Sequence, residues 1–332
     1  LEVGANMKKK EFVEFLERYS LDEDAIEAAV TEVREFEQYL AGAGKSLEEV
    51  EVSDIKGYMQ VLISRKRNDW DRLVALARYF YISGDSDMYI YFTQILHGRE
   101  VYPSIARRLS EIAGEETSEK VFDGIELPPL GSPPEAVPPV TAELVERLNA
   151  LGPETCHRAL AGNHHGIPIE SFNKHKKWLE EAGDFDAFLK KMHDEAVAEL
   201  DEYAKSGRVW YESVITPETV ELVRNNPEML SAVRRGDYLY MTKFPYAPKE
   251  YLEATDPRMK RYYSCHCPLA REAVLRGDPD IPLDWCYCSG GFNKLKFDVV
   301  FGEETEVEVL KSVLAGDDIC RFRVKIPEGK LG

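Results

Sequence analysis

The sequence predicts an α+β protein: an N-terminal all-helical bundle followed by an α+β domain with an antiparallel sheet. Three observations predict it. Apolar residues recur at helical spacing, often behind capping residues, as far as residue 122. A proline-rich run then interrupts the pattern. Toward the C-terminus the apolar period switches to two and a hairpin signal appears.

In the first part, "FVEFLERY" places Phe12, Val13, Phe15, Leu16 and Tyr19 on one helix face. "SLDEDAIEAAVTEVREFEQYL" opens with Ser20 and Glu23 spaced as a capping box, and "SLEEV" repeats the spacing with Ser46 and Glu49. "SDIKGYMQVLI", "DWDRLVALARYFYISGD", "MYIYFTQIL" and "PSIARRLSEIAG" complete a helical domain over 8–122. "FDGIELPPLGSPPEAVPPVT" carries three Pro-Pro pairs, which disfavour helix and mark 123–140 as a linker. The second domain, 141–332, begins with helices at "TAELVERLNAL", "PETCHRALAG" and "SFNKHKKWLEEAGDFDAFLKKMHDEAVAELDEYAKSG". "RVWYESVI" and "DYLYMTKFPY" read as strands, "WCYC" as an extended segment, and "SGGFNKLKFDVVFG" as a helix. "TEVEVLKSVLAGDDICRFRVKIP" reads as two strands around "AGDD".

The chain has 332 residues, 44% hydrophobic, which suffices for two cores. No apolar run approaches the ~20 residues of a membrane span, and "LEVGANMKKKEF" lacks the apolar stretch of a signal peptide. A cytoplasmic, thiol-reducing location is therefore expected. The formal net charge of −18 repels nucleic acid, so no sequence-specific nucleic-acid binding is expected. The basic run "SRKR" reads as a solvated helix end.

Four of the six cysteines fall in two Cys-X-Cys pairs, Cys265 with Cys267 and Cys286 with Cys288. On extended chain, residues two apart share a face. Each pair then presents two sulfurs to one point, and together they make a candidate metal centre, zinc with an iron–sulfur cluster as alternative. Redox or nucleophilic thiols and plain core packing are the competing readings. His266 points away from its flanking cysteines on a strand and is expected to face solvent. A second cluster joins Cys156 and His157 to the loop "GNHHGIP" with His164 and His165. Cys156, His157 and His165 are candidate catalytic residues, a thiol with imidazole bases near neutral pH. Cys320 alternates with polar residues and reads as core. "SGGF" at Ser289 lacks the lysine of a phosphate loop, so close backbone approach is its expected purpose.

Two stretches carry family resemblances. "FVEFLERYSLDEDAIEAAVTEVREFEQYL", "DIKGYMQVLI" and "RLVALARYFYISGD" resemble the core-binding helical domain of tyrosine recombinases. No His-x-x-Arg box with a downstream tyrosine motif accompanies them, so the resemblance implies a fold and not recombination. "CYCSGGFNKLKFDVVFGEETEVEVLKSVLAGDDICRFRVKIP" resembles the 4-vinyl reductase-type small-molecule-binding domain, and its ending is similar to that of L-2-amino-thiazoline-4-carboxylic acid hydrolases. That resemblance implies a small-molecule ligand. Some members hold zinc; carried over, their first and last cysteines fall at Cys286 and Cys320. Ser312 stands where the middle cysteine would be, and Glu308 near the glutamate. The expectation is a metal-binding protein with a sensor-like ligand domain. The alternative is a cysteine- or metal-dependent enzyme, a hydrolase or a redox enzyme, acting on a small molecule. A protein partner or a homodimer stays open.

Overall fold

The computed structural model describes residues 7–277 and 280–330. They form a helical N-terminal part followed by an α+β part with antiparallel sheets. The described residues divide into two compact units: 7–97 with 127–136, and 98–126 with the described part of 137–330.

Unit 1 contains α1 (Lys9–Arg18), α2 (Glu23–Gly42), α3 (Val52–Ser64), α4 (Trp70–Ser83) and α5 (Ser86–Leu96). The cap of α2 is Asp22, whose carboxylate accepts from the Ala25 amide at 2.8 Å. Ser20, expected as the cap, instead sits in a turn with φ of 58°. The Ser46–Glu49 bonds do form, but they close a turn; α3 starts behind a second box made by Glu51 and Asp54. Phe12, Leu16, Val33, Phe36, Leu40, Ile55, Met59, Leu76 and Phe92 form the buried core. Inside it, the Glu32 carboxylate accepts from Tyr58 Oη at 2.7 Å and pairs with Arg72. The stretch 127–136 packs here as well. Asn68 Nδ2 donates to the Leu130 carbonyl (2.9 Å), and Lys56 pairs with Glu135 (2.7 Å).

Unit 2 begins with α6 (Val101–Ala113), α7 (Glu115–Phe122), α8 (Pro138–Asn149) and α9 (Pro153–Leu160). The third Pro-Pro pair does not exclude helix. Pro138 opens α8, where a missing amide hydrogen costs nothing. α10 (Asn173–Ala182) and α11 (Phe185–Ser206) follow, then β1 (Val209–Trp210) and β2 (Ser213–Val214). "RVWYESVI" is thus a small hairpin turning at Tyr211 (φ 51°), not one strand. After α12 (Pro217–Arg224) come β3 (Val233–Arg235), β4 (Tyr238–Thr242), α13 (Pro248–Glu253), α14 (Pro257–Ser264), α15 (Arg271–Arg276), α16 (Cys286–Phe301), β5 (Val307–Lys311) and β6 (Arg321–Lys325). The main sheet has the order β3-β4-β6-β5, antiparallel throughout.

The period of two in β4 and β6 sorts their side chains. Leu239, Met241, Phe322 and Val324 pair across the strands and are buried on one face, against Phe297 of α16 and Phe188 of α11. On the other face Arg323 and Arg321 lie over the rings of Tyr238 and Tyr240, at 4.4 and 5.1 Å. Glu308 and Glu228 neutralise these arginines. This sheet is the platform on which α16 rests.

Candidate functional site

Three segments of unit 2 bring five of the six thiols together. α14 ends at Ser264, and the chain turns extended at Cys265 (φ −78°, ψ 119°) before Cys267 and Pro268. A short helical turn, Leu283–Trp285, leads directly into α16, so Cys286 and Cys288 lie in the first turn of a helix. Cys320 precedes β6. The expectation of an extended "WCYC" is therefore corrected. On a helix, residues two apart diverge by about 200°, and Cys286 and Cys288 face different neighbours.

Cys286 Sγ lies 3.0 Å from Ser312 Oγ and hydrogen-bonds with Cys320. That bond holds the Cys286 thiol well above its ordinary value and the Cys320 thiol below it. Burial pushes the Cys265 thiol up to about 12, and the neighbouring thiols Cys267 and Cys320 add to the effect. Cys267 Sγ accepts from Trp285 Nε1 at 3.2 Å. Cys288 faces a different way, with its Sγ 3.9 Å from His165 Nε2. His165 Nδ1 lies 3.7 Å from Glu100 Oε1, and the ring meets the edge of Phe292 at 5.7 Å between centroids. Burial raises the Cys288 thiol; Cys267 raises it further and Lys243 opposes the rise. Cys288 is buried, at 5% exposure, beside the half-exposed side chain of His165, and Cys267 is the one thiol of the five that is not fully buried.

α16 comes close enough to α9 for this contact because residue 291 is glycine. A Cβ there would stand 2.5 Å from the Ala161 carbonyl carbon and 2.6 Å from the Gly162 oxygen. Of the two glycines of "SGGF", Gly291 serves the close backbone approach that was expected, and Gly290 meets only the side chains of Val307 and Phe322. The loop after Gly162 carries His165 to Cys288.

Of the candidate catalytic residues, only His165 reaches the cluster in this way. Cys156 is fully buried, and burial pushes its thiol up to about 12. His157 lies on another side of α16, where its Nε2 is 2.6 Å from Asp284 Oδ1 and its ring stacks on Tyr287 at 3.6 Å. His266 is not solvent-facing as expected from a strand: its Nε2 is 2.6 Å from the Phe244 carbonyl oxygen, and burial holds its pKa well below the usual range. Among the described residues, no group of three or more His, Cys, Asp or Glu side chains converges as a metal ion would require.

Sequence reasoning missed four participants: Cys320, Glu100, Trp285 and Lys243. Cys320 had a signal in the "GDDIC" ending, which the resemblance placed among the family's ligands. Glu100 and Lys243 had none, because only the packing of distant segments brings them here.

Residues 251–330 match the model of a family of unknown function, DUF6144. This segment contains Cys265, Cys267, Cys286, Cys288 and Cys320 but neither His165 nor Lys243. No curated protein and no solved structure matches the chain. No helix among the described residues is long and apolar enough to cross a membrane.

Proposed function

We propose that unit 2 is a cysteine-dependent enzyme acting on a small molecule. Cys288 is the nucleophile, His165 its proton acceptor, and Glu100 orients the imidazole. The observation that carries this reading is the line Cys288–His165–Glu100, 3.9 and 3.7 Å, which runs from a buried thiol to a half-exposed imidazole. Both separations exceed a hydrogen bond and would shorten around a substrate. A thiol raised by burial is a poor nucleophile alone, so a base within reach is what makes it reactive. Its place in the first turn of α16 favours the thiolate once formed.

The chemistry follows. The Cys288 proton passes to His165 Nε2, and the sulfur electron pair forms a bond to an electrophilic carbon. The leaving group departs with its bonding pair and takes the proton from His165. Water, deprotonated by the same imidazole, then cleaves the sulfur–carbon bond and restores the thiol. The likeness of the C-terminal stretch to ligand-binding and hydrolase domains supports a small-molecule substrate.

A second reading has Cys267 and Cys288 hold a soft metal ion, zinc ahead of iron–sulfur, with further ligands moving in on binding, because no three such groups converge among the described residues. It is favoured by the closeness of Cys267 to Cys288. The four-cysteine set Cys265, Cys267, Cys286 and Cys288 has less support as a single centre, because α16 turns Cys286 and Cys288 apart.

Labelling with iodoacetamide, read residue by residue by peptide mass spectrometry alongside metal analysis, tests both readings. Cys288 is expected to react first, and His165→Gln to slow it by about tenfold or more. Reaction at Cys288 no faster than at Cys286, or untouched by His165→Gln, would sink the nucleophile. Stoichiometric zinc that blocks the labelling would put the metal first.

A further inference from the structure

The thiol cluster contains two cations that no acid of the described chain neutralises. Lys243 follows β4. Its amide donates to the Cys320 carbonyl at 2.9 Å, and its ammonium donates to Ser289 Oγ. The charge thus stands at the first turn of α16, beside the residue that follows Cys288. Its field reaches Cys267, Cys288 and Cys320, where it opposes the rise that burial imposes. Arg271 is 4% exposed, and its guanidinium lies over the rings of Tyr246 and Tyr262 at 4.3 and 5.0 Å. Its Nε has no hydrogen-bond partner, and its charge acts on Cys265 and His266 of the same cluster.

Neither cation forms an ion pair among the described residues. Elsewhere in unit 2 the pattern is the opposite. Lys294 is matched by Asp298 and Glu304, and Arg321 by Glu228. The chain has 60 acidic residues against 42 lysines and arginines, so acids to pair with are abundant. Burial of Arg271 without an acid is offset by Tyr246, which hydrogen-bonds it, and by the two tyrosine rings, whereas Lys243 is half-buried and has only Ser289 Oγ as a side-chain partner among the described residues. Lys243 therefore leaves a positive charge beside Cys288 that no acid of the described chain matches and that an anion from outside could.

We propose that the substrate acted on at Cys288 carries a carboxylate, held by Lys243 Nζ against the first turn of α16. The proposal rests on the reading of Cys288 as nucleophile and adds the substrate class. A monoanion matches the single ammonium at that turn. Ser289 Oγ, already bonded to Lys243, is placed to donate to the same group, and the helix N-terminus adds partial positive charge. Arg271 contributes its field from the Cys265 side.

Two alkylating reagents of nearly equal size separate this proposal from the one beneath it. Iodoacetate is a carboxylate and iodoacetamide is neutral, and both mark cysteine sulfur irreversibly. The ratio of their rates at Cys288 is compared with the ratio for free cysteine in the same buffer. We expect the ratio at Cys288 to favour iodoacetate by about tenfold over free cysteine at low salt. Raising the ionic strength of the wild-type protein should shrink that preference. Lys243→Met should abolish it, and Lys243→Arg should retain it. Equal ratios at Cys288 and free cysteine, or a preference unchanged in Lys243→Met, would overturn the carboxylate and leave the nucleophile standing. Failure of both reagents to label wild-type Cys288 would overturn both.

Discussion

His164 and His165 adjoin in the chain and do opposite work. His164 is 1% exposed. Its Nε2 lies 2.8 Å from the Ala159 carbonyl and its Nδ1 3.0 Å from Ser104 Oγ, so a neutral ring donates to one and accepts from the other. This ties the loop to the end of α9 and thereby fixes where His165 points. Burial lowers His164 from 6.5 to about 4. The unfolded chain then binds the proton more readily between these values. Stability from this group is complete above about pH 6.5, falls as pH drops toward 4, and changes no further below that. The loss amounts to about 3 kcal/mol. His175, also lowered to about 4 by burial, adds a second loss of the same sign. Urea midpoints of the wild type should fall between pH 7 and pH 4.5, and His164→Gln should reduce that fall. An equal fall in both proteins would mean that His164 has no part in the acid limit. At the same scale, Cys320 shows the limit of a period-two reading. Alternation put it correctly on the inward face, but did not say that another thiol was waiting there.

At the scale of elements, α16 decides the site. Its sequence has two consecutive glycines near the start and aromatic residues around the cysteines, so neither propensity nor pattern announces a helix from Cys286. Packing between α9 and the sheet overrides propensity. Gly290 lies against Val307 and Phe322, and Gly291 against the backbone at Ala161 and Gly162. Gly291→Ala should therefore force α9 and α16 apart, because backbone atoms cannot swing aside as a side chain does. The expected cost is about 3 kcal/mol, with slower alkylation of Cys288 as His165 withdraws. Unchanged melting in that variant would mean that the two helices lie farther apart than described. Gly290→Ala, which meets only side-chain atoms at 3.2 Å or more, should cost less.

For the whole molecule, the division into units departs from the expected one. The helical bundle was expected to run from 8 to 122 and the proline-rich 123–140 to be a linker. Instead the first compact unit closes after residue 97, α6 and α7 belong to the second, and 127–136 joins the first. Gly131 shows why that stretch is not a tether. It is buried with φ of 84°, a conformation glycine adopts freely, and a Cβ there would stand 3.0 Å from Met59 Sδ in the core. Proteinase K is expected to leave 127–136 intact while it cuts elsewhere, and Gly131→Ala to expose the stretch. A first cut inside 127–136 of the wild type would show that it is a free linker after all.

Local chemistry is what the chain carried on its face. Helix periodicity, the final hairpin and the alternation in β4 and β6 depend on neighbours a few residues apart, so they could be read directly. The clustering of thiols in two short stretches was visible for the same reason. Tertiary structure decided the rest. His165, Lys243 and Glu100 lie from 45 to 188 residues away from Cys288 along the chain. Their meeting depends on how α9, β4 and α6 dock around one helix start, and no local pattern encodes docking. The turn of that helix separated Cys286 from Cys288, giving one a thiol partner in the core and the other an imidazole at the surface.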